Sequence, residues 1–310
     1  MIKEEKTKSY LIIILAVFTW SFSEIIVKLL QGSIGMLSLS FLRFFIGGVC
    51  LLIILILKRD MAGIWKMIKE NWKLLLIASC LALGLSNVIY FIGITYTQAN
   101  IGATLYTTYP IWITIYAIFI LNERSNLKLK FIGIVIGILG VAILMTNFNL
   151  IAFFSSENLF GNVLVLLGAI IWGFYSVLGK KIQMNEPELS NNALKFSMIS
   201  MFLACIPIFT ILIFTPEFDD FMNYDLESWF WILFMGIIST GLGIFLLFEG
   251  IKHIETSRGM SLAFFKPIFA TILAYFILNE LPTLALLFSI ILIIIAILLI
   301  NRRSFIEKDS

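Results

Sequence analysis

The sequence predicts an all-α integral membrane protein: ten transmembrane helices as two inverted five-helix repeats. Three observations predict it. Apolar blocks have membrane-crossing length, basic residues are confined to alternate loops, and one motif is written twice at a fixed distance.

Of the 310 residues, 60% are hydrophobic and only 13% are charged, about half the charged fraction of a soluble domain. The apolar residues fall into ten blocks of roughly 17–23, at 10–30, 37–57, 74–94, 101–121, 131–147, 160–180, 196–215, 229–251, 258–278 and 284–301. Each is long enough to cross a bilayer core of about 30 Å as a helix. Short loops and two small tails remain, which leaves no room for a soluble domain with a separate activity. The first block follows basic residues, but its apolar core is too long for a signal peptide and no small-residue cleavage site follows, so it is expected to be retained. Cys50, Cys80 and Cys205 all fall inside blocks, where cysteine acts as a small hydrophobe, and no disulfide is expected.

Charge sets the orientation. With the amino terminus inside, the tails and the loops near 58–73, 122–130, 180–195 and 252–258 hold nineteen of the twenty-two Lys and Arg residues. The opposite loops, "QGSIG", "TYTQAN", "NFNLIAFFSSEN", "PEFDDFMNYDLES" and "NELPT", hold none. The positive-inside rule then places both termini in the cytoplasm of a multi-pass protein of the cell membrane. Lys28, Arg43 and Lys266 are the exceptions, within or at the ends of spans.

A shift of 157 residues aligns Gly93 with Gly250, Gly102 with Gly259, Pro110 with Pro267, and "FILNE" at 119–123 with "FILNE" at 276–280. Earlier in each half a shift of 152 aligns Trp20 with Trp172, Phe22 with Phe174, Lys28 with Lys180, and Arg43 with Lys195. The offset changes in loops, where insertions are tolerated. Residues 1–150 and 151–310 are thus two copies of one unit. Five spans per copy is odd, so the second copy crosses upside down. Loop charges agree: basic "RSNLKLK" follows the first "FILNE" and uncharged "LPTLALL" the second. Inverted repeats are the architecture of alternating-access carriers, which bind substrate at the repeat interface near the midplane.

Five-plus-five inverted spans, Trp20 and "WG" at 172–173, "GIVIGILGVAIL" in the fifth span, and a Pro followed by "LNE" in the fourth and ninth together resemble the drug/metabolite transporter superfamily, and within it the EamA-type transporters. The resemblance covers nearly the whole chain. It implies a ten-helix carrier working without ATP, usually an exporter of amino acids or other small metabolites. Two departures stand out. Many members have Glu before the ninth-span proline, where this chain has Lys266. The fifth-span glycines have no counterparts in the tenth, where Ile290, Ile294 and Ile297 stand.

Lys266 lies eight residues from Arg258 at the edge of its span, about 12 Å deep at helical rise. A lysine there costs about 2.5–3.5 kcal/mol on insertion scales, so it faces a cavity or a partner and marks a pathway. Pro267 cannot donate to the carbonyl of Ala263, nor Pro110 to that of Tyr106, so both prolines are candidate breaks or gates in their helices. Glu24 has two readings: a structural pair with Arg43 or Lys28, or a site for a substrate cation or a proton. Trp20, Tyr106, Tyr109, Trp172, Asn87 and Tyr90 are the candidate lining, since buried Tyr and Asn need partners that a wet cavity supplies. Tyr116, Trp112 and Tyr175 are further polar-tipped aromatics inside spans. Gly133, Gly137 and Gly140 read as close helix packing. Glu249 reads as an interface charge, and Glu123 and Glu280 as polar helix ends.

Enzyme signals are nearly absent. His253 has no second ligand for a metal. "GFYSVLGKK" at 173–181 fails the phosphate-loop spacing, so neither a cofactor nor ATP hydrolysis is expected. The expected function is secondary transport of a small metabolite, an amino acid or its derivative, across the cell membrane, with export as the direction the resemblance implies. The alternatives are export of lipophilic cations (multidrug) and metabolite uptake. The expected partners are the substrate, a proton or counter-solute, and the bilayer, with no nucleic acid; the oligomeric state is left open, a monomer being one option.

Overall fold

A computed structural model of the chain describes residues 2–30, 32–97, 105–146, 148–149, 159–278 and 284–306, and among these every regular element is helical. The first half comprises α1 (Ile2–Leu29), α2 (Met36–Leu57), α3 (Ile64–Thr95), α4 (Tyr109–Ile120) and α5 (Leu127–Thr146). The second comprises α6 (Leu159–Asn185), α7 (Asn192–Leu212), α8 (Leu226–Gly250), α9 (Thr256–Ile277) and α10 (Leu284–Ile306). Among the described residues nine helices are long and apolar enough to cross a membrane; α4 is apolar but shorter. The first residues of the expected fourth span, 101–104, lie outside the described residues.

One stretch differs from expectation. Residues 64–73, read as loop because of their lysines, are the opening turns of α3. Ile64, Met67, Ile68 and Asn71 recur at helical spacing, and Met67 and Asn71 are buried while Trp65 and Trp72 are exposed. An amphipathic stripe of this kind forms helix regardless of the charge on its other face. The helix kinks at Asn71 (φ −116°, ψ 18°) before turning into the apolar span.

The two halves interlock. α1 packs against α8 and α9 of the other half, and α6 packs in the same way against α3 and α4. α2 pairs with α7 and α5 with α10. The backbone repeats as faithfully as the sequence. α3 widens into a π-helix over Ile77–Leu85, and α8 does so over Met235–Leu242. A shift of 157 carries 77–85 onto 234–242. A π-turn disrupts the normal hydrogen-bond ladder, and side chains meet the carbonyls concerned: Ser86 Oγ donates to the Ala82 carbonyl at 2.6 Å and Asn87 Nδ2 to that of Leu83 at 2.8 Å. The widened turns face α7 and α2 respectively. The fifth-span glycines need no twin in α10, because a groove on one partner suffices: a Cβ on Gly133 would sit 2.7 Å from the Ala296 carbonyl oxygen.

Acidic residues tie the halves together at both ends. Asp60, after α2, accepts from Asn191 Nδ2 at 2.6 Å, Lys195 Nζ at 2.7 Å and Ser190 Oγ at 2.9 Å, all at the start of α7. Glu217, 157 residues later, accepts from the backbone N–H groups of Leu37 and Ser38 at 3.0 and 3.1 Å, at the start of α2. The amide of Asn191, then Lys195 and the hydroxyl of Ser190, hold the Asp60 carboxyl down at about 2. A carboxylate depressed in the folded state stabilises above its unfolded value of about 3.9 and loses that contribution as pH falls through the folded value. Asp60→Asn is therefore expected to melt earlier than the unaltered protein at neutral pH. The gap should close between about pH 4 and pH 2 in thermal melts; a gap independent of pH would assign the effect to packing.

Candidate substrate site

The two helices that carry the repeated prolines, Pro110 and Pro267, are interrupted beside them. Residues 107–108 form a turn, and α4 starts at Tyr109 with Pro110 as its second residue. In α9 the backbone tightens to a 3-10 turn over Leu262–Phe264 before α-helix resumes at Phe265, two residues ahead of Pro267. Proline lacks the N–H of a continuous helix and its ring crowds the carbonyl four residues earlier, which accounts for both interruptions.

Beside the first break lies an aromatic cluster drawn from four helices. Tyr90 on α3 sits 4.4 Å from Tyr106, ring centre to ring centre, and Tyr106 sits 6.1 Å from Tyr109. Trp172 on α6 is 4.6 Å from Tyr109 and 6.3 Å from Tyr106. Trp20 on α1 meets Trp172 edge to face at 6.4 Å. Trp20 can lie flat on α8 because position 243 is glycine; a Cβ there would be 2.5 Å from the indole Nε1. Trp20 and Trp172 are repeat equivalents. Two residues exchanged by a two-fold operation touch each other only near its axis, so the cluster stands on the seam between the halves.

A cation borders the cluster. Arg43 on α2 donates through its guanidinium to Asn87 Oδ1 at 2.5 Å, and its Cζ lies 4.7 Å from the centre of the Phe44 ring. Asn87 is buried. Arg43 was weighed in the sequence only as a partner for Glu24; the structure couples it to Asn87. Lys266 is half-buried at the start of the α-helical part of α9. Its carbonyl accepts from Ser21 Oγ at 3.2 Å, one residue along α1 from Trp20. The Glu24 side chain lies outside the described residues.

Other candidates resolve into packing. Tyr116 stacks on Phe174 at 3.8 Å and donates to the Ile170 carbonyl. Tyr175 is buried against Phe196 and Phe248 with its hydroxyl 2.7 Å from Ser200 Oγ. Glu249 pairs with Lys252 at 2.6 Å, and His253 is exposed. Glu280 lies outside the described residues.

A cavity of about 420 Å³ opens elsewhere, at the end of the bundle that carries both termini. Glu123, Lys180, Lys252, Glu255 and Arg258 are among its lining. Burial pushes the Glu255 carboxyl up, but the Ser125 hydroxyl and the charges of Lys130 and Arg258 outweigh it and hold the group below its ordinary value. Sequence reading passed over this cluster because its members come from three separate loops and helix ends.

Apolar helices in two interlocked copies, with aromatics at their seam beside a proline break, define a polytopic membrane transport protein. The chain belongs to the EamA-like transporter family, whose model matches residues 7–146 and again 159–302. An uncharacterized transporter of Clostridium kluyveri is 26% identical over 93% of this chain and 91% of its own length. The uncharacterized transporter YoaV of Bacillus subtilis is 27% identical over 91% and 92%. A solved crystal structure superposes with a TM-score of 0.79 over 97% of this chain and 99% of its own, at 18% identity, and supports the fold.

Proposed function

We propose that the protein is a secondary carrier that exports an amino acid or a derivative with an apolar or aromatic side chain. The observation that carries this reading is the contact of Trp20 with Trp172, which puts aromatic walls at the seam where a carrier of inverted repeats binds its substrate. Aromatic walls suit an apolar side chain or a ring. Cations at Arg43 and Lys266 suit a carboxylate and repel a lipophilic cation; Glu24 on α1 is the candidate partner for an amine or a coupling proton. Energy comes from a proton or counter-solute gradient, and the pathway runs between the halves, with Pro110 and Pro267 as the points where α4 and α9 flex.

The test loads proteoliposomes separately with amino acids and with lipophilic cations and follows efflux and counterflow. Amino-acid efflux with counterflow is the expected result. Movement of cations alone, accelerated by Lys266→Gln, would leave the multidrug reading in its place.

The same reading puts both termini in the cytoplasm of the cell. In intact cells, a single cysteine at Asn223 is then expected to react with an impermeant thiol reagent and one at Ser310 to be protected. Labelling of the second from outside reverses the orientation.

A further inference from the structure

We infer that Glu123 is the gating residue of the carrier, a latch that holds the termini end shut by joining the two proline-broken helices across the repeats. The inference rests on the carrier reading and adds a residue to it that the aromatic site does not contain. Glu123 ends the first "FILNE", just past α4 of the first half, and its side chain is 7% exposed. One carboxylate oxygen accepts the backbone N–H of Thr256 at 2.7 Å; the other accepts the N–H of Ser257 at 3.1 Å and its hydroxyl at 3.0 Å. Both residues open α9, in the second half. Lys180 on α6 approaches the same carboxylate at 3.5 Å and donates to the Ile254 carbonyl, so the cation is fixed to the loop it helps to hold. A second bridge runs beside the first: Glu255 accepts from Ser125 at 2.7 Å and pairs with Lys130 at 2.9 Å.

The Glu123 bonds to Thr256 and Ser257 and the Ser125 bond to Glu255 join the loop after α4 to the segment that begins α9, and Lys130 on α5 ties to the same segment. Separating those two segments breaks them together, which makes the assembly two-state rather than gradually deformable. Glu123, Ser125, Lys180 and Glu255 also line the cavity at this end, so water enters as they part. At Glu123 a solvated carboxylate and solvated N–H groups replace the bonds, so that carboxylate is not left buried and unpaired on opening. A carboxylate bridge between halves that rests on a water-accessible cavity is suited to repeated breaking, unlike one sealed in apolar core.

The test needs no substrate. Spin labels are placed at Arg124 and His253 in a chain whose Cys50, Cys80 and Cys205 have been replaced, and the distance between them is measured in lipid nanodiscs. The unaltered latch is expected to give one dominant short distance. Glu123→Gln, which keeps the shape and removes the charge, should raise a longer-distance population at least about threefold. Lys66→Met, which removes the exposed lysine that pairs with Glu186 at the same end, should not. An unchanged distribution for Glu123→Gln overturns the inference, as does an equal change for Lys66→Met. If Glu123→Gln is not recovered as folded protein, Lys180→Met decides on the same terms. Absence of amino-acid efflux would remove the proposed substrate while leaving the distance result standing.

Discussion

Lys266→Met is expected to lower efflux by about 100-fold, the equivalent of about 2.7 kcal/mol at the rate-limiting step, while the yield of folded protein stays unchanged. Lys266 is half-buried where α9 is broken, beside the α1 segment that carries Trp20. Methionine matches the lysine stem in length and fills the same space, so the variant removes the charge and its polar contacts while keeping the stem. An ammonium near mid-bilayer costs about 2.5–3.5 kcal/mol to insert, a cost the methionine variant does not carry. Efflux from proteoliposomes and thermal melting of the same preparation separate the roles. Lost transport with an unchanged melt assigns Lys266 to the pathway. Normal transport with a lowered melt makes it a structural pair and removes it from the site.

Gly161→Val is expected to destabilise the bundle by at least about 3 kcal/mol, at the upper end of overpacking effects, and to yield little monodisperse protein. At the start of α6 a Cβ on Gly161 would lie 2.4 Å from the Tyr96 carbonyl oxygen and 2.7 Å from that of Gly93. The approach is reciprocal, since a Cβ on Gly93 would lie 2.8 Å from the Val165 nitrogen. These are backbone atoms, which cannot rotate away as a side-chain tip can. Two helices that meet backbone on backbone depend on small residues for their dispersion contacts, and valine would push α3 and α6 apart along their length. Val163→Leu, two residues away on the exposed side, serves as control. A Gly161→Val protein melting within about 2 °C of the unaltered one would show that the crossing is not as close as described.

Much of the architecture was legible because membrane insertion imposes strong, simple patterns. Span length, the loop charge asymmetry and the 157-residue repeat are one-dimensional signals, and α2, α5, α6, α7 and α10 fall where they place them. The opening of α3 was misread because three lysines outweighed the short stripe of Ile64, Met67, Ile68 and Asn71. The candidate lining was also readable in part: Trp20, Tyr90, Tyr106, Tyr109 and Trp172 do meet. The partnerships were not. Arg43 finds Asn87 across 44 residues, and Glu123 finds Thr256 across 133; no periodicity encodes such a pairing. The π-turns were hidden too, because Ile77–Leu85 has the composition of any apolar helix. The repeat offered one clue that was left unused, since Asp60 and Glu217 are equivalent positions and perform the same cross-half tie.

The interlocking of the halves has a consequence for how the chain is made. The main partners of α1 are α8 and α9, and nearly 200 residues separate the end of α1 at Leu29 from the start of α8 at Leu226. At about 5–20 residues per second, the first helix waits roughly 10–40 s in the bilayer before those partners leave the ribosome. During that interval its polar face, with Ser21 and Ser23 that later meet the Lys266 carbonyl and Ser239, has only lipid or the insertion machinery for company. The five helices of the first copy are therefore not a folding unit. Split into two polypeptides between the copies, the protein should mature only when both are synthesised together, each half acting as the other's template.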